Sequence, residues 1–211
     1  MSLDKSLYCE FSSVNEAEMW GNKHYGNWAE GYQKNMRTLN KIFKITASDV
    51  LERYCGYDYQ HINAVLRNPE CYYECKNLYV TMSEVLAVTI ISAPKVPANI
   101  VVYRGVPSLF VDKLYREYSH GWVQEKGFLS TSLLRTIDMD HNFDALLRIY
   151  LPKGVSGAYV PCVAGRSEQE MLMLPNSFIK LTGKKILTSP KRSWETINDR
   201  PVFDCELTYM V

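Results

Sequence analysis

Glu168-Gln169-Glu170 runs directly into Met171-Leu172-Met173-Leu174, an apolar stretch that reads as a strand. Residues i and i+2 of a strand point the same way, so the two carboxylates should converge on one small volume. Like charges held that close raise at least one pKa unless a cation or a charged substrate relieves them. Paired carboxylates of this kind serve reactions in which a sugar acquires positive charge, glycosidases among them. A second feature is Arg104, which ends the apolar run Ile100-Val101-Val102-Tyr103 and is followed by Gly105. An arginine there can present its planar fork to a pyrophosphate while the glycine lets backbone approach closely. The third is Ser130-Thr131-Ser132, where hydroxyls 130 and 132 share a strand face as the wall of a cleft would. Each has an ordinary alternative when taken singly: a solvated strand entrance, a surface ion pair, and edge-strand polarity.

Positioning these groups falls to a helical front and a β-rich back. Asn15 can cap a first helix whose early acids suit its positive end, and Trp20, His24, Tyr25 and Trp28 recur at helical spacing as a core-facing stripe. Ser48-Asp49-Val50-Leu51 starts a second helix. Asp58 is expected to cap a third carrying Tyr59, Ile62, Asn63 and Leu66, and a fourth runs from about Lys76 to Ile91 and stops before Pro94 and Pro97. After Pro97 come a strand over Ile100 to Tyr103 and a helix around Leu109 to Tyr118. Further strands are expected over Gly127 to Ser132, Ala145 to Leu151, Gly157 to Pro161, Glu170 to Leu174, Phe178 to Thr182 and Val202 to Val211, with Pro190 to Pro201 a long hairpin loop. With neither repeats nor a linker, residues 1–211 read as one α+β domain, helical over about 13–93 and β-rich over about 98–211.

Composition narrows the function. Twenty-four Lys and Arg against 23 Asp and Glu leave no general field to draw in nucleic acid or an anionic membrane. The longest nearly apolar run, Val85 to Ala93, falls short of the roughly 20 residues a bilayer span needs. The opening residues lack the pattern of a secretory signal, so either a signal has been removed or export uses another route. Histidines 24, 61, 120 and 141 show no metal-ligand spacing, and Cys71 and Cys75 form a lone Cys-x3-Cys, so no metal is expected and the six cysteines read as reduced thiols.

Taken together, in this order and spacing, the three features resemble the arginine-serine-glutamate class of mono-ADP-ribosyltransferases, in particular the catalytic domain of the clostridial binary toxins that modify actin. The resemblance extends to Trp20-Gly21 with Tyr25 and Trp28, to Tyr54-Cys-Gly-Tyr-Asp-Tyr59-Gln-His-Ile-Asn63 with Leu66-Arg67, and to Val102-Tyr103-Arg104. It continues through Gly127-Phe-Leu-Ser130-Thr-Ser132, Leu147-Arg148-Ile-Tyr-Leu-Pro152-Lys-Gly154 and Ser167-Glu168-Gln-Glu170, covering nearly the whole chain from about residue 13.

The resemblance implies two roughly perpendicular antiparallel sheets around a NAD cleft, with NAD as co-substrate and no metal. It makes Glu170 the catalytic glutamate, Glu168 the upstream acid of arginine-modifying members, and Ser130 the residue that orders the glutamate. Arg104, Gly105, Ser130, Thr131, Ser132 and Arg148 would line the dinucleotide, with Tyr54, Tyr59, Asn63 and Arg67 closing over it; for the two tyrosines core packing is the alternative. It implies a monomer that is secreted or injected and modifies an arginine of a host protein in the host cytosol, actin being the first candidate. Two further functions compete: a NAD glycohydrolase, with water as acceptor, and a non-catalytic binding copy of the fold. Three departures bear on the target and on delivery. There is room for one copy of a fold that binary toxins carry twice, Val163 to Ser167 offers no aromatic to touch a protein substrate, and six cysteines are unusual for exported toxins of this kind.

Overall fold

The computed structural model describes residues 3–43, 47–71, 74–117, 121–135, 143–164, 168–182, 187–188 and 201–209. Helix α1 (Val14–Phe43) opens with a reciprocal cap: Ser13 Oγ accepts the Glu16 N–H at 3.2 Å, and the Glu16 carboxylate accepts the Ser12 N–H at 2.9 Å. The capping residue is thus Ser13 and not Asn15, because a hydroxyl three residues before Glu16 reaches an orphan amide that Asn15 lies too far inside the helix to serve. The aromatic stripe packs inward as expected. Tyr25 is fully buried, with Trp20, Trp28 and Tyr159 around its ring at centroid distances of 5.8, 6.5 and 6.4 Å. Gly21 is required by that packing, since a Cβ there would lie 2.1 Å from the Tyr159 ring.

Helix α2 (Ala47–Arg53) passes through a π-helical turn (Tyr54–Asp58) into α3 (Tyr59–Arg67), with Gly56 breaking helical geometry at φ −87°, ψ −113°. Asp58 does not cap α3. Its backbone is already helical and its carboxylate accepts from Arg53 Nε at 2.5 Å, so the turn is a bulge within a continuing helix and leaves no free N-terminus there. Helix α4 (Lys76–Ser92) ends where Ala93 turns extended ahead of Pro94.

The β-rich part comprises β1 (Ile100–Val106), β2 (Val123–Glu125), β3 (Leu129–Ser132), β4 (Ala145–Leu151), β5 (Gly157–Tyr159), β6 (Glu170–Met173), β7 (Ser177–Leu181), β8 (Leu187–Thr188) and β9 (Pro201–Thr208), with α5 (Ser108–Glu117) and α6 (Pro161–Ala164) between strands. The strands form one path, β2-β7-β9-β4-β1-β3-β6-β5, with β8 on β9. Pairing is antiparallel except between β4 and β9, which run parallel, a departure from the expected all-antiparallel arrangement. Two halves meet between β1 and β3 at a single register pair, Tyr103↔Ser132. Strands β2 and β8 were not foreseen, being too short to show alternation, and residues 190–200 of the expected hairpin loop lie outside the described residues.

The main core gathers α1 to α4 against the sheet, while a smaller cluster of Val101, Tyr103, Leu146, Tyr150 and Val202 lies on the other face of β1 and β4, under Leu3, Tyr8 and Phe143. The N-terminal segment is tied there by backbone, with Cys9 N–H on Asn99 O and Val101 N–H on Cys9 O. Among the described residues no helix is long and apolar enough to cross a membrane.

Candidate functional site

Strand register brings two of the three chemical features together. Ser132 pairs with Glu170 and Ser130 with Leu172, so both serines stand on the side of β3 next to the glutamate. Ser130 Oγ donates to Glu170 Oε1 at 2.5 Å, a short charge-assisted bond, and the Cys55 thiol of the π-helical turn lies 3.9 Å from the other carboxylate oxygen. Glu170 is only 4% exposed, whereas Glu168, just before the strand, is exposed. The two acids therefore occupy very different surroundings: one buried beside Ser130, the other exposed.

Arg104 supplies the third feature. Its Nη1 donates to the Ser130 carbonyl at 2.8 Å, across the line where β1 meets β3. Among the described residues no carboxylate lies within ion-pairing distance of it, although burial pulls its pKa down from the ordinary guanidinium value. Glu125 and Glu170 act on this half-buried head group only at longer range, so it is suited to an anionic ligand that reaches it directly.

Several other residues expected at the dinucleotide have partners inside the protein. Arg148 pairs in register with Tyr103 and therefore projects from the face of the sheet opposite Arg104, where it ion-pairs with Glu10 and lies over the Tyr150 ring. Residues 104 and 148 fall on opposite faces of the β1–β4 pair because the register sets Arg104 against Leu147. Gly105 also serves that second face, since a Cβ would lie 2.6 Å from the Phe143 ring. Thr131 alternates away from Ser130 and Ser132, and its hydroxyl is spent on Met171 O at 2.7 Å. Ser132 accepts the Leu134 N–H at 3.1 Å and so ends β3.

The helical residues staple α3 to the approach of β3. Asn63 accepts the Phe128 N–H at 2.8 Å and donates to the Tyr54 hydroxyl at 3.1 Å. Arg67 pairs with Glu125 at 2.9 Å, and the same carboxylate accepts the Gly127 N–H at 2.8 Å. Gly127 must lack a side chain, because a Cβ would meet Asn63 Oδ1 at 2.7 Å. Tyr54, 3% exposed and edge-on to Phe128, is packed in the core, and burial pushes its hydroxyl pKa up, while Tyr59 is 44% exposed and open to a ligand. Three participants escaped the sequence reading: Cys55, Glu125 and Gln169. Cysteine in a helix and an isolated glutamate carry no signal, but strand alternation at Glu168-Gln169-Glu170 already turns Gln169 to the opposite side.

Among the described residues no cluster of metal-ligating side chains is present. The arrangement offers a fixed carboxylate able to stabilise positive charge developing on a sugar, an exposed acid beside it, and a cation for a phosphate.

The family model described as ADP-ribosyltransferase exoenzyme matches residues 17–198. None of the curated protein sequences matches the chain. Solved structures similar to it include Plx2a, an ADP-ribosyltransferase toxin from Paenibacillus larvae, with a TM-score of 0.71 and 18% identity over 92% of this chain and 96% of that one. BECa, an ADP-ribosylating toxin of a binary enterotoxin of C. perfringens solved with NADH, gives 0.76 and 20% over 95% of this chain and 50% of that one. The C3 exoenzyme of Clostridium limosum gives 0.67 and 15% over 95% and 97%. At these identities the likeness establishes the fold, and the chain spans half the length of the binary-toxin component while matching the two shorter enzymes along nearly all of theirs.

Proposed function

Because this chain belongs to the ADP-ribosyltransferase exoenzyme family, we propose that it moves ADP-ribose from NAD to an arginine of a host protein, actin being the first candidate, and releases nicotinamide. The observation that carries the proposal is the chain of contacts from Arg104 to the Ser130 carbonyl and from the Ser130 hydroxyl to Glu170, which joins a phosphate-binding cation to a pre-oriented carboxylate. Cleaving the bond between nicotinamide and ribose leaves positive charge on the sugar. Glu170, held on Oε1 by Ser130, stabilises that charge without having to reorganise. Arg104 anchors the pyrophosphate, and exposed Tyr59 covers the dinucleotide from the helical side. Glu168, being exposed, receives the incoming guanidinium and takes its proton, so that a neutral nitrogen attacks. Secretion or injection into a host cell follows from the exoenzyme family and belongs to the same proposal.

Incubation with labelled NAD and a eukaryotic lysate tests it. The expected result is label on an arginine of actin; label on another side chain or protein corrects the acceptor. Nicotinamide release without label makes the protein a glycohydrolase, and no release at all makes it a binding copy of the fold.

A further inference from the structure

Each oxygen of the Glu170 carboxylate has a donor within reach: Ser130 Oγ lies 2.5 Å from Oε1, and Cys55 Sγ lies 3.9 Å from Oε2. The serine stands in the sheet. The cysteine is buried and comes from the helical side, in the π-helical turn between α2 and α3, an irregularity that recurs at functional sites. That turn is fixed on both sides of the thiol. Tyr54, immediately before it, packs edge-on against Phe128 and accepts the Asn63 amide on its hydroxyl at 3.1 Å. Arg53 reaches across the turn to Asp58 at 2.5 Å, and Leu51, one helical turn earlier, is fully buried. The sulfur therefore has little freedom to leave the carboxylate.

We infer that Cys55 is a positioning residue for Glu170: its S–H donates to Oε2, holds the carboxylate in one orientation together with Ser130, and favours the charged form. The inference deepens the proposed NAD cleavage and rests on it. A thiol is a weak donor, so Oε2 is steered while keeping most of its charge for the sugar. Two other ionisable groups act on Glu170 from the elements around it. Arg104 of β1 is a cation throughout, and burial keeps the Tyr54 hydroxyl neutral, so neither titrates in the range of a carboxylate.

Cys55→Ser and Cys55→Ala both lose the bulk of the sulfur, and only serine keeps a donor, so comparing them separates hydrogen bonding from packing. Nicotinamide release from NAD is followed across pH. Losing a donor to the charged form raises a carboxylate's pKa, so the acid limb of kcat should move up by roughly 0.5 to 1 pH unit in Cys55→Ala. Its plateau kcat should fall about 3- to 10-fold while KM for NAD stays within about twofold of wild type. In Cys55→Ser the limb should lie nearer to wild type than in Cys55→Ala. A limb that stays in place in Cys55→Ala, or moves equally in both variants, overturns the inference.

Infrared absorption of the S–H stretch reads the contact without turnover. The band that disappears in Cys55→Ala belongs to Cys55. In Glu170→Gln the thiol loses a charged acceptor, and its band should move to higher frequency as the hydrogen bond weakens; an unmoved band overturns the inference. A wild-type protein that releases no nicotinamide refutes the proposed reaction instead, and the band alone then decides whether the thiol holds the carboxylate.

Discussion

Glu170→Gln separates charge from shape at the reaction centre. The amide has nearly the volume of the carboxylate, and its oxygen can still accept from Ser130 Oγ, so the 2.5 Å contact survives in kind. What is lost is the negative charge that the proposed reaction sets against the ribose. A preorganised charge-stabilising group of this sort is worth about 3 to 4 kcal/mol, or roughly 10² to 10³ in rate. Folding should not suffer, because the side chain is 4% exposed and a neutral group there carries a smaller desolvation cost than a carboxylate. Nicotinamide release in the absence of acceptor gives the hydrolytic rate, label incorporation gives transfer, and thermal unfolding with far-UV circular dichroism controls for structure. Both activities should fall together by at least the lower figure with the unfolding midpoint retained. A folded variant keeping more than about a tenth of wild-type turnover would show that another residue stabilises the developing charge.

Glu168→Gln should lower transfer to arginine far more than hydrolysis, because water needs no guanidinium partner; parallel loss of both would move Glu168 to the NAD step. Arg104→Lys loses the planar fork and should weaken NAD binding by roughly 1 to 3 kcal/mol, read by titrating tryptophan fluorescence, and an unchanged dissociation constant would return Arg104 to a structural role. Arg148→Met breaks the Glu10 pair and the contact with Tyr150, so it should cost about 1 kcal/mol in chemical denaturation and leave NAD affinity unaltered, whereas weakened NAD binding would restore it to the cleft. Burial pushes the Cys162 thiol up to about 11, so at pH 8 only about 10⁻³ of it is thiolate, and disulfide-exchange reagents should label it well after exposed Cys71 and Cys75, as peptide mapping of timed samples would show.

Strand β4 was legible end to end, because Ala145 to Leu151 is an apolar run interrupted only by Arg148, and α4 was legible because two prolines stop it. Ser130 and Glu170 could be paired from residue type and order, but their hydrogen bond depends on the β3 to β6 register, which no local pattern states. Arg148 illustrates that gap. The resemblance makes it a second phosphate contact, while the register that opposes Tyr103 and Arg148 sets it on the face of the β1–β4 pair opposite Arg104, beside Glu10. Tyr54 lies in a π-helical turn that no residue pattern announces, and its burial against Phe128 matches the core packing that stood as its alternative. Asn63, Arg67 and Glu125 satisfy one another across distant segments, and burial of a polar group can be known only once its partner is in place.

The single pair Tyr103↔Ser132 that joins the two halves of the sheet has a thermodynamic consequence. Arg104 belongs to one half and Ser130 with Glu170 to the other. Backbone pairing crosses the join once, and the Arg104 bond to the Ser130 carbonyl and the hydrophobic core that both halves share hold them together. A ligand that touched both halves would add contacts across the join and stabilise the folded chain by mass action.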